Sequence, residues 1–265
     1  MKGSWVARVP RPSNPAASYF APPRPRVFAH RGLAIDAPEN TLLAFAKAVA
    51  VGAEYIETDV RASLDGAAVV CHDPELTRIA GRDIRVDQLT LAELRRIDLG
   101  FGQNFCSLAE ALDAFPETRF NIDLKSADVV VPAVAAIDKL AAVDRVLVTS
   151  FSEKRRRAAI AELPGVATSA SAKPFVTALL AGKLHAGRAA ARALRGMDAV
   201  QVPQRALGLR VTSESMIERL HAAGVEVHVW TINEPATMSV LLDRGVDGIV
   251  TDRADLALGI VKARR

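Results

Sequence analysis

The chain has 265 residues, half of them hydrophobic, with 34 basic against 30 acidic side chains. That length is open to one large domain or two small ones, no apolar run approaches the roughly 20 residues that span a bilayer, and no secretory signal opens the chain, so a cytoplasmic location is expected. Two cysteines without a CxxC pair argue against a disulfide framework or a cysteine zinc site. The net charge of +4 arises in residues 1–26, which hold Lys2, Arg8, Arg11, Arg24 and Arg26 and no acid, so the remaining 29 basic and 30 acidic residues offer no face for nucleic acid.

Residues 1–26 also contain six prolines, which break helices and remove sheet donors. They are expected to form a disordered or loosely attached leader, whose Trp5, Tyr19 and Phe20, with the arginines, offer a weak membrane-surface contact. From Val27 onward, short apolar runs alternate with Ala-rich helical stretches, the pattern of βα units round a parallel sheet. Strands are expected at 27–29, 55–60, 119–124, 146–149, 166–169, 199–202, 225–229 and 248–250. Helices are expected at 41–51, 108–115, 130–141, 154–163, 213–223 and 236–244, with Gly52, Gly224 and Gly245 at the C-caps of three. Eight strands in this order predict a (β/α)8 TIM barrel over residues 27–260.

A further strand at 67–72 follows the second too closely for a helical crossover and must fold back as a hairpin. Asp65-Gly66 suits a two-residue turn, which would set Asp59 opposite His72. Residues 73–105 then lack a strand pattern, look helical at 89–99, and predict a small insertion over one face.

Functional residues of parallel barrels gather at the C-terminal strand ends. There this sequence puts His30 and Arg31 on the first strand, Glu57 and Asp59 two apart on one face of the second, and Asp123 and Lys125 with the same spacing on the third. Carboxylates converging on one mouth repel unless a cation lies among them, and three carboxylates suit one hard divalent ion, Mg2+ or Ca2+. Singly, a histidine or a Glu-x-Asp pair is more often structural; the joint arrangement is what points to chemistry. Glu39 and Asn40 either line the site or start the following helix, with Asn40 as cap. Trp230 either packs against substrate or roofs the barrel. Asp252 reads as a helix N-cap, 154–157 as a solvated basic face, and Cys71 as an inert residue pointing away from His72.

Seven motifs in order, AHRG at 29–32, APENT at 37–41, IETDV at 56–60, VCHDP at 70–74, SLAEAL at 107–112, WTIN at 230–233 and GVDGIVTD at 245–252, make residues 27–256 similar to the glycerophosphodiester phosphodiesterase family. The resemblance implies hydrolysis of a small-molecule glycerophosphodiester to an alcohol and glycerol phosphate. By that likeness His30 and His72 are the acid–base pair, in either order. Glu57, Asp59 and Asp123 are the metal ligands, and Arg31 and Lys125 stabilise phosphoryl charge; Glu39 and Trp230 stand beside these as candidates for substrate contact on their positions alone. The substrate's own hydroxyl attacks, giving a cyclic phosphate that water opens. The family's third ligand is usually glutamate; the shorter Asp123 binds directly or through water. Two other readings share the barrel: a lysophospholipase D type of activity, for which the apolar stretch 174–184 is the relevant feature, and a non-catalytic binding protein.

Overall fold

The computed structural model describes residues 14–265. Its strands are β1 (Arg26–His30), β2 (Tyr55–Ala62), β3 (Ala68–Val70), β4 (Arg119–Leu124), β5 (Val146–Thr149), β6 (Ala167–Thr168), β7 (Ala199–Val202), β8 (Arg205–Ala206), β9 (Leu209–Arg210), β10 (Glu226–Val229) and β11 (Gly248–Thr251). Eight of them pair in parallel in the order β6, β5, β4, β2, β1, β11, β10, β7. The ring closes between β6 and β7 through one parallel bridge, Ser169 to Ala199. This is the predicted (β/α)8 barrel. Its thin seam has a local cause: Thr168 N donates to the Asp198 carboxylate rather than to a neighbouring strand carbonyl.

The expected helices form, at Leu42–Ala50, Leu108–Ala114, Val130–Lys139, Glu153–Glu162, Glu214–Ala222 and Pro235–Asp243. Residues 174–183 belong to a helix not foreseen, Ala172–Lys183, with Leu184 as its C-cap and Pro174 in the first turn where no donor is lost. Alternation along the strands divides the core into two layers. Outward residues such as Val27, Ile56 and Ile122 pack against the helices, while inward Phe28, Tyr55, Leu147, Ala167 and Val250 fill the lower barrel. Gly248 makes room there, since a Cβ would lie 2.8 Å from the Phe28 ring and 2.9 Å from His228.

The leader expectation is corrected for residues 14–26. Asn14 caps a short helix, Pro15–Tyr19, by accepting from Ala17 N, and Pro15 suits the first helical position. Tyr19 is 0% exposed and joins the inner core, edge-on to Tyr55 at 5.3 Å. A ring sealed under the barrel is not available to a membrane, so the leader contact is withdrawn for Tyr19, and Phe20 packs partly buried beside it; Trp5 lies outside the described residues. Arg26 is also internal: it forms a double 2.9 Å contact with Glu226 and donates to Tyr55 Oη.

The hairpin register differs by one residue from expectation. Arg61 pairs with Val69 and Ala62 with Ala68, so the loop is Leu64-Asp65-Gly66 and Asp59 faces Cys71, whose N–H donates to Asp59 O. The cause is Ser63, whose Oγ accepts from Ala67 N and donates to Asp65 Oδ1, drawing Asp65 into a three-residue turn. Cys71 therefore faces the insertion, whose own core includes Val69, Leu76, Leu94 and Phe105, and burial pushes its thiol up to about 12. The insertion is helical at Thr77–Ala80 and Leu91–Leu94 rather than throughout 89–99. Among the described residues no helix is long and apolar enough to cross a membrane.

Removing the Tyr19 ring leaves a cavity in the inner core. Tyr19→Ala is expected to lower the unfolding free energy by about 3 kcal/mol in urea denaturation, whereas Tyr19→Phe, which deletes a hydroxyl without a partner, should change it little.

Candidate active site

The C-terminal strand ends enclose a cavity of about 380 Å³ whose wall has two unlike halves. Charged and polar side chains from β1, β2 and β4 line one: His30, Arg31, Glu57, Asp59, Asn121, Asp123 and Lys125, with His72 beyond β3. Phe151, Phe175, Val176, Pro203, Ala206 and Trp230, from the loops and helix starts after β5, β6, β7 and β10, line the other. Parallel register explains the first group, because Glu57 pairs with Asn121 and Asp59 with Asp123, so all four point inward together.

Charge compensation in that cluster is internal. Lys125 Nζ lies 2.8 Å from Asp59 Oδ1 and 2.6 Å from Asp123 Oδ2, and Arg31 Nε lies 3.1 Å from Asp59 Oδ2 as an ion pair rather than an aligned hydrogen bond. Burial alone would raise the Asp59 pKa, but Lys125 and then Arg31 outweigh it and hold Asp59 ionised. Asp123 is raised by burial despite Lys125. Glu57 has neither cation against it, and burial, then the Asp59 charge, push it up to about 8.

Within the cluster three buried acceptor oxygens lack any hydrogen-bond partner: Glu57 Oε2, Asn121 Oδ1 and Asp123 Oδ1. An oxygen set with surplus negative charge and open lone pairs is what a hard divalent cation requires, so these residues fit the expected metal. Among the described residues no three His, Cys, Asp or Glu side chains are already gathered round one point, and Lys125 supplies the positive charge between Asp59 and Asp123. Asn121 was not singled out from the sequence; its alternation with Asp123 on β4 was the available signal.

Each histidine has an aspartate on Nδ1. His30 Nδ1 is 2.6 Å from Asp252 Oδ1, and Asn233 Nδ2 donates to Asp252 Oδ2 at 2.7 Å. His72 Nδ1 is 2.7 Å from Asp73 Oδ1. An aspartate on Nδ1 fixes the tautomer and orients Nε2; for His30, Nε2 comes within 3.8 Å of Glu57 Oε2. Burial opposes a charge on His30, but the Asp252 hydrogen bond and the Glu57 charge prevail and raise its pKa. Asp252 is thus no helix cap: the next helix, Ala254–Ala263, has no side-chain cap, and the carboxylate is taken by His30 and Asn233.

Glu39 and Asn40 part company. Asn40 lies at φ 56 and is buried, donating to Asp59 Oδ2 at 3.1 Å and accepting from Thr58 Oγ1, while Thr41 caps the helix. Glu39 is not in the cavity wall; it accepts from Arg31 Nη1 at 2.9 Å and from Arg78 Nη2 at 2.6 Å. Arg78, unforeseen from the sequence, also donates to Asp73 Oδ2 and so ties the His72 support to the Arg31 support. Trp230 is in the wall, edge-on to Phe151 at 6.2 Å. Of the basic run, Arg156 and Arg157 pair with Glu153, and Arg155 donates to Lys125 O and Ser150 Oγ, so the run is only partly a solvated face.

Residues 30–256 match the model of the glycerophosphoryl diester phosphodiesterase family. The chain is 43% identical over 238 residues to a Mycobacterium tuberculosis protein named "Probable glycerophosphodiester phosphodiesterase 2", covering 89% of this chain and 90% of that one. A glycerophosphodiester phosphodiesterase structure from Agrobacterium tumefaciens aligns with TM-score 0.71 and 27% identity, over 88% of this chain and 99% of that one. An Oleispira antarctica phosphodiesterase, solved with its product sn-glycerol-3-phosphate, shares the fold with TM-score 0.77 and 24% identity, over 92% and 99% of the two chains.

The raised Glu57 pKa has a stability consequence in cation-free buffer. Between its ordinary 4.5 and about 8 the folded state keeps a proton that the unfolded state has released, so stability falls as pH rises through that window. Glu57→Gln should flatten this slope in denaturation curves taken across the window; an unchanged slope would assign it to other groups.

Proposed function

The chain belongs to the glycerophosphoryl diester phosphodiesterase family, and from that premise we propose that it hydrolyses its diester with a divalent cation and with His30 and His72 as acid and base. The activity of the class, cleavage of a glycerophosphodiester, is carried by the family match and by the relative of 43% identity; a decayed, non-catalytic barrel is thereby set aside. The observation that carries the mechanism is the pair of imidazoles, each with an aspartate on Nδ1, at the rim of a carboxylate cluster with open acceptor oxygens.

In this reading Glu57, Asp59 and Asp123 hold the cation, with the Asn121 oxygen beside them. When bound, the cation supplies Lewis acidity toward a phosphoryl oxygen and lowers the pKa of a hydroxyl next to it. Arg31 and Lys125 face the phosphoryl oxygens and stabilise the charge that grows on them. One imidazole takes the proton from the attacking glycerol hydroxyl as its oxygen bonds to phosphorus, while the other protonates the departing alkoxide. Water then opens the cyclic phosphate with the two roles exchanged, and Asp73 and Asp252 hold the rings throughout.

The apolar half of the cavity favours a second substrate reading. Phe175 and Val176, from the stretch 174–184, together with Trp230 and Phe151, offer a leaving group hydrocarbon rather than charge, which suits a lysolipid. Comparing kcat/KM for glycerophosphocholine and lysophosphatidylcholine decides between them: a preference for the soluble diester supports the leading reading, and a preference for the lysolipid the other.

His30→Ala and His72→Ala should each lower kcat by about 10²–10⁴-fold with an unchanged circular dichroism spectrum. Chelator should abolish activity reversibly, and Mg2+ or Ca2+ should raise the Tm of the wild type but not of Glu57→Gln. Full activity in EDTA would contradict the cation, and full activity of both histidine variants the acid–base pair.

A further inference from the structure

We propose that the rim of the apolar half is a docking surface for an anionic lipid bilayer, centred on the β8–β9 ribbon. The ribbon stands directly beyond β7. Its Ala206 faces the cavity, and Ala206 and Leu209 pack against the core, so the tip is fixed at the mouth. Arg205 pairs with Arg210 and Ala206 with Leu209, which leaves a two-residue loop, Leu207-Gly208, with φ 50 and 74. Two successive positive φ values are the type I′ arrangement, whose preferred sequence is Asn-Gly.

The fold gains nothing from leucine at that tip. Leu207 is 66% exposed, and its left-handed backbone disfavours a bulky side chain. Directly opposed arginines repel across the ribbon. A ribbon that serves only itself would carry neither feature, whereas an apolar tip between two cations is suited to the boundary between anionic headgroups and acyl chains.

Neighbouring segments extend the same chemistry. Phe151, 59% exposed, follows β5, and its carbonyl accepts from Ala172 N at the start of the helix after β6. Both residues line the cavity together with Ala206, so the three loops form one rim. Lys154 and Lys173 are exposed in the first turns of the helices that leave it. Among the described residues Lys154, Lys173, Arg205 and Arg210 have no ion-pair partner. Two exposed apolar side chains, Leu207 between Arg205 and Arg210 and Phe151 close in sequence to Lys154, complement a negatively charged, hydrocarbon-cored surface better than a second copy of this near-neutral body.

The test is flotation of the full chain with vesicles of phosphatidylcholine alone and of phosphatidylcholine mixed with phosphatidylglycerol. The wild type should float with the mixed vesicles at low salt and be released by salt. Leu207→Asn should bind about tenfold more weakly with equal or higher Tm, since it restores Asn-Gly to the turn. Arg210→Glu, which converts the like-charged pair into an opposite-charged one, should also weaken binding without lowering Tm. Both should turn over a soluble glycerophosphodiester as the wild type does. Absence of flotation, or equal flotation of wild type and Leu207→Asn, overturns the proposal. Binding to soluble heparin that matches vesicle binding and is unaffected by Leu207→Asn would indicate a general polyanion site and also overturns it, as would a fall in sedimentation coefficient in Leu207→Asn without vesicle binding, which indicates self-association.

Discussion

The carboxylate cluster at the ends of β2 and β4 is the constraint on which the rest of the site depends. Glu57, Asp59 and Asp123 are buried on adjacent parallel strands, and buried like charges of this kind stay ionised only with cations beside them. Lys125 and Arg31 provide two, and each is itself held. Lys125 stands between two aspartates, with its carbonyl tied to Arg155. Arg31 is fixed by Glu39, which Arg78 fixes in turn. Glu57 forms no ion pair with Lys125 or Arg31, and burial and the Asp59 charge outweigh the pull of His30 and Lys125, so its raised pKa and open oxygen mark where positive charge is weakest. In the proposed mechanism a divalent cation would complete the balance that the protein's own lysine and arginine begin.

The second organising feature is the division of the barrel mouth. Strands β1, β2 and β4 are neighbours in the ring, and so are β5, β6, β7 and β10 apart from the thin seam at β6. The charged side chains lie on the first arc, and the second adds hydrocarbon together with the uncharged polar groups of Thr149, Ser150, Ser171 and Gln201. In the proposed mechanism this ordering suits a diester: the phosphoryl group would meet fixed charge and imidazole, and the organic part mainly side chains that need no partners. The same mainly apolar arc reaches the outer rim through Phe151 and the ribbon, which joins the cavity to the surface facing solvent.

Much of this was legible in the sequence because barrel periodicity is strict. Alternation put Glu57 with Asp59, and Asp123 with Lys125, and the strand count implied closure. What was not legible depended on side chains that reach across loops. Asp252 looked like a helix cap because it precedes a helix, but its contact is with a histidine 222 positions away in sequence. Arg78 lies in an insertion without strand pattern, and nothing local marks it as the link between Asp73 and Glu39. The hairpin slipped by one residue because Ser63 and Asp65 chose the turn, a side-chain decision that the Asp-Gly pair alone did not reveal. The N-terminal segment read as leader because prolines and arginines are surface-like on average; Tyr19 and Arg26 instead find an aromatic core and a half-buried glutamate at the barrel floor.

The most direct test of the site is a crystal structure of the protein soaked with sn-glycerol 3-phosphate and a divalent cation. The cation should lie on Glu57, Asp59 and Asp123, and the phosphate should touch Arg31 and Lys125 and stand between the two imidazoles, each still bonded to its aspartate. A cation bound away from these carboxylates, or a phosphate out of reach of both His30 and His72, would contradict the account.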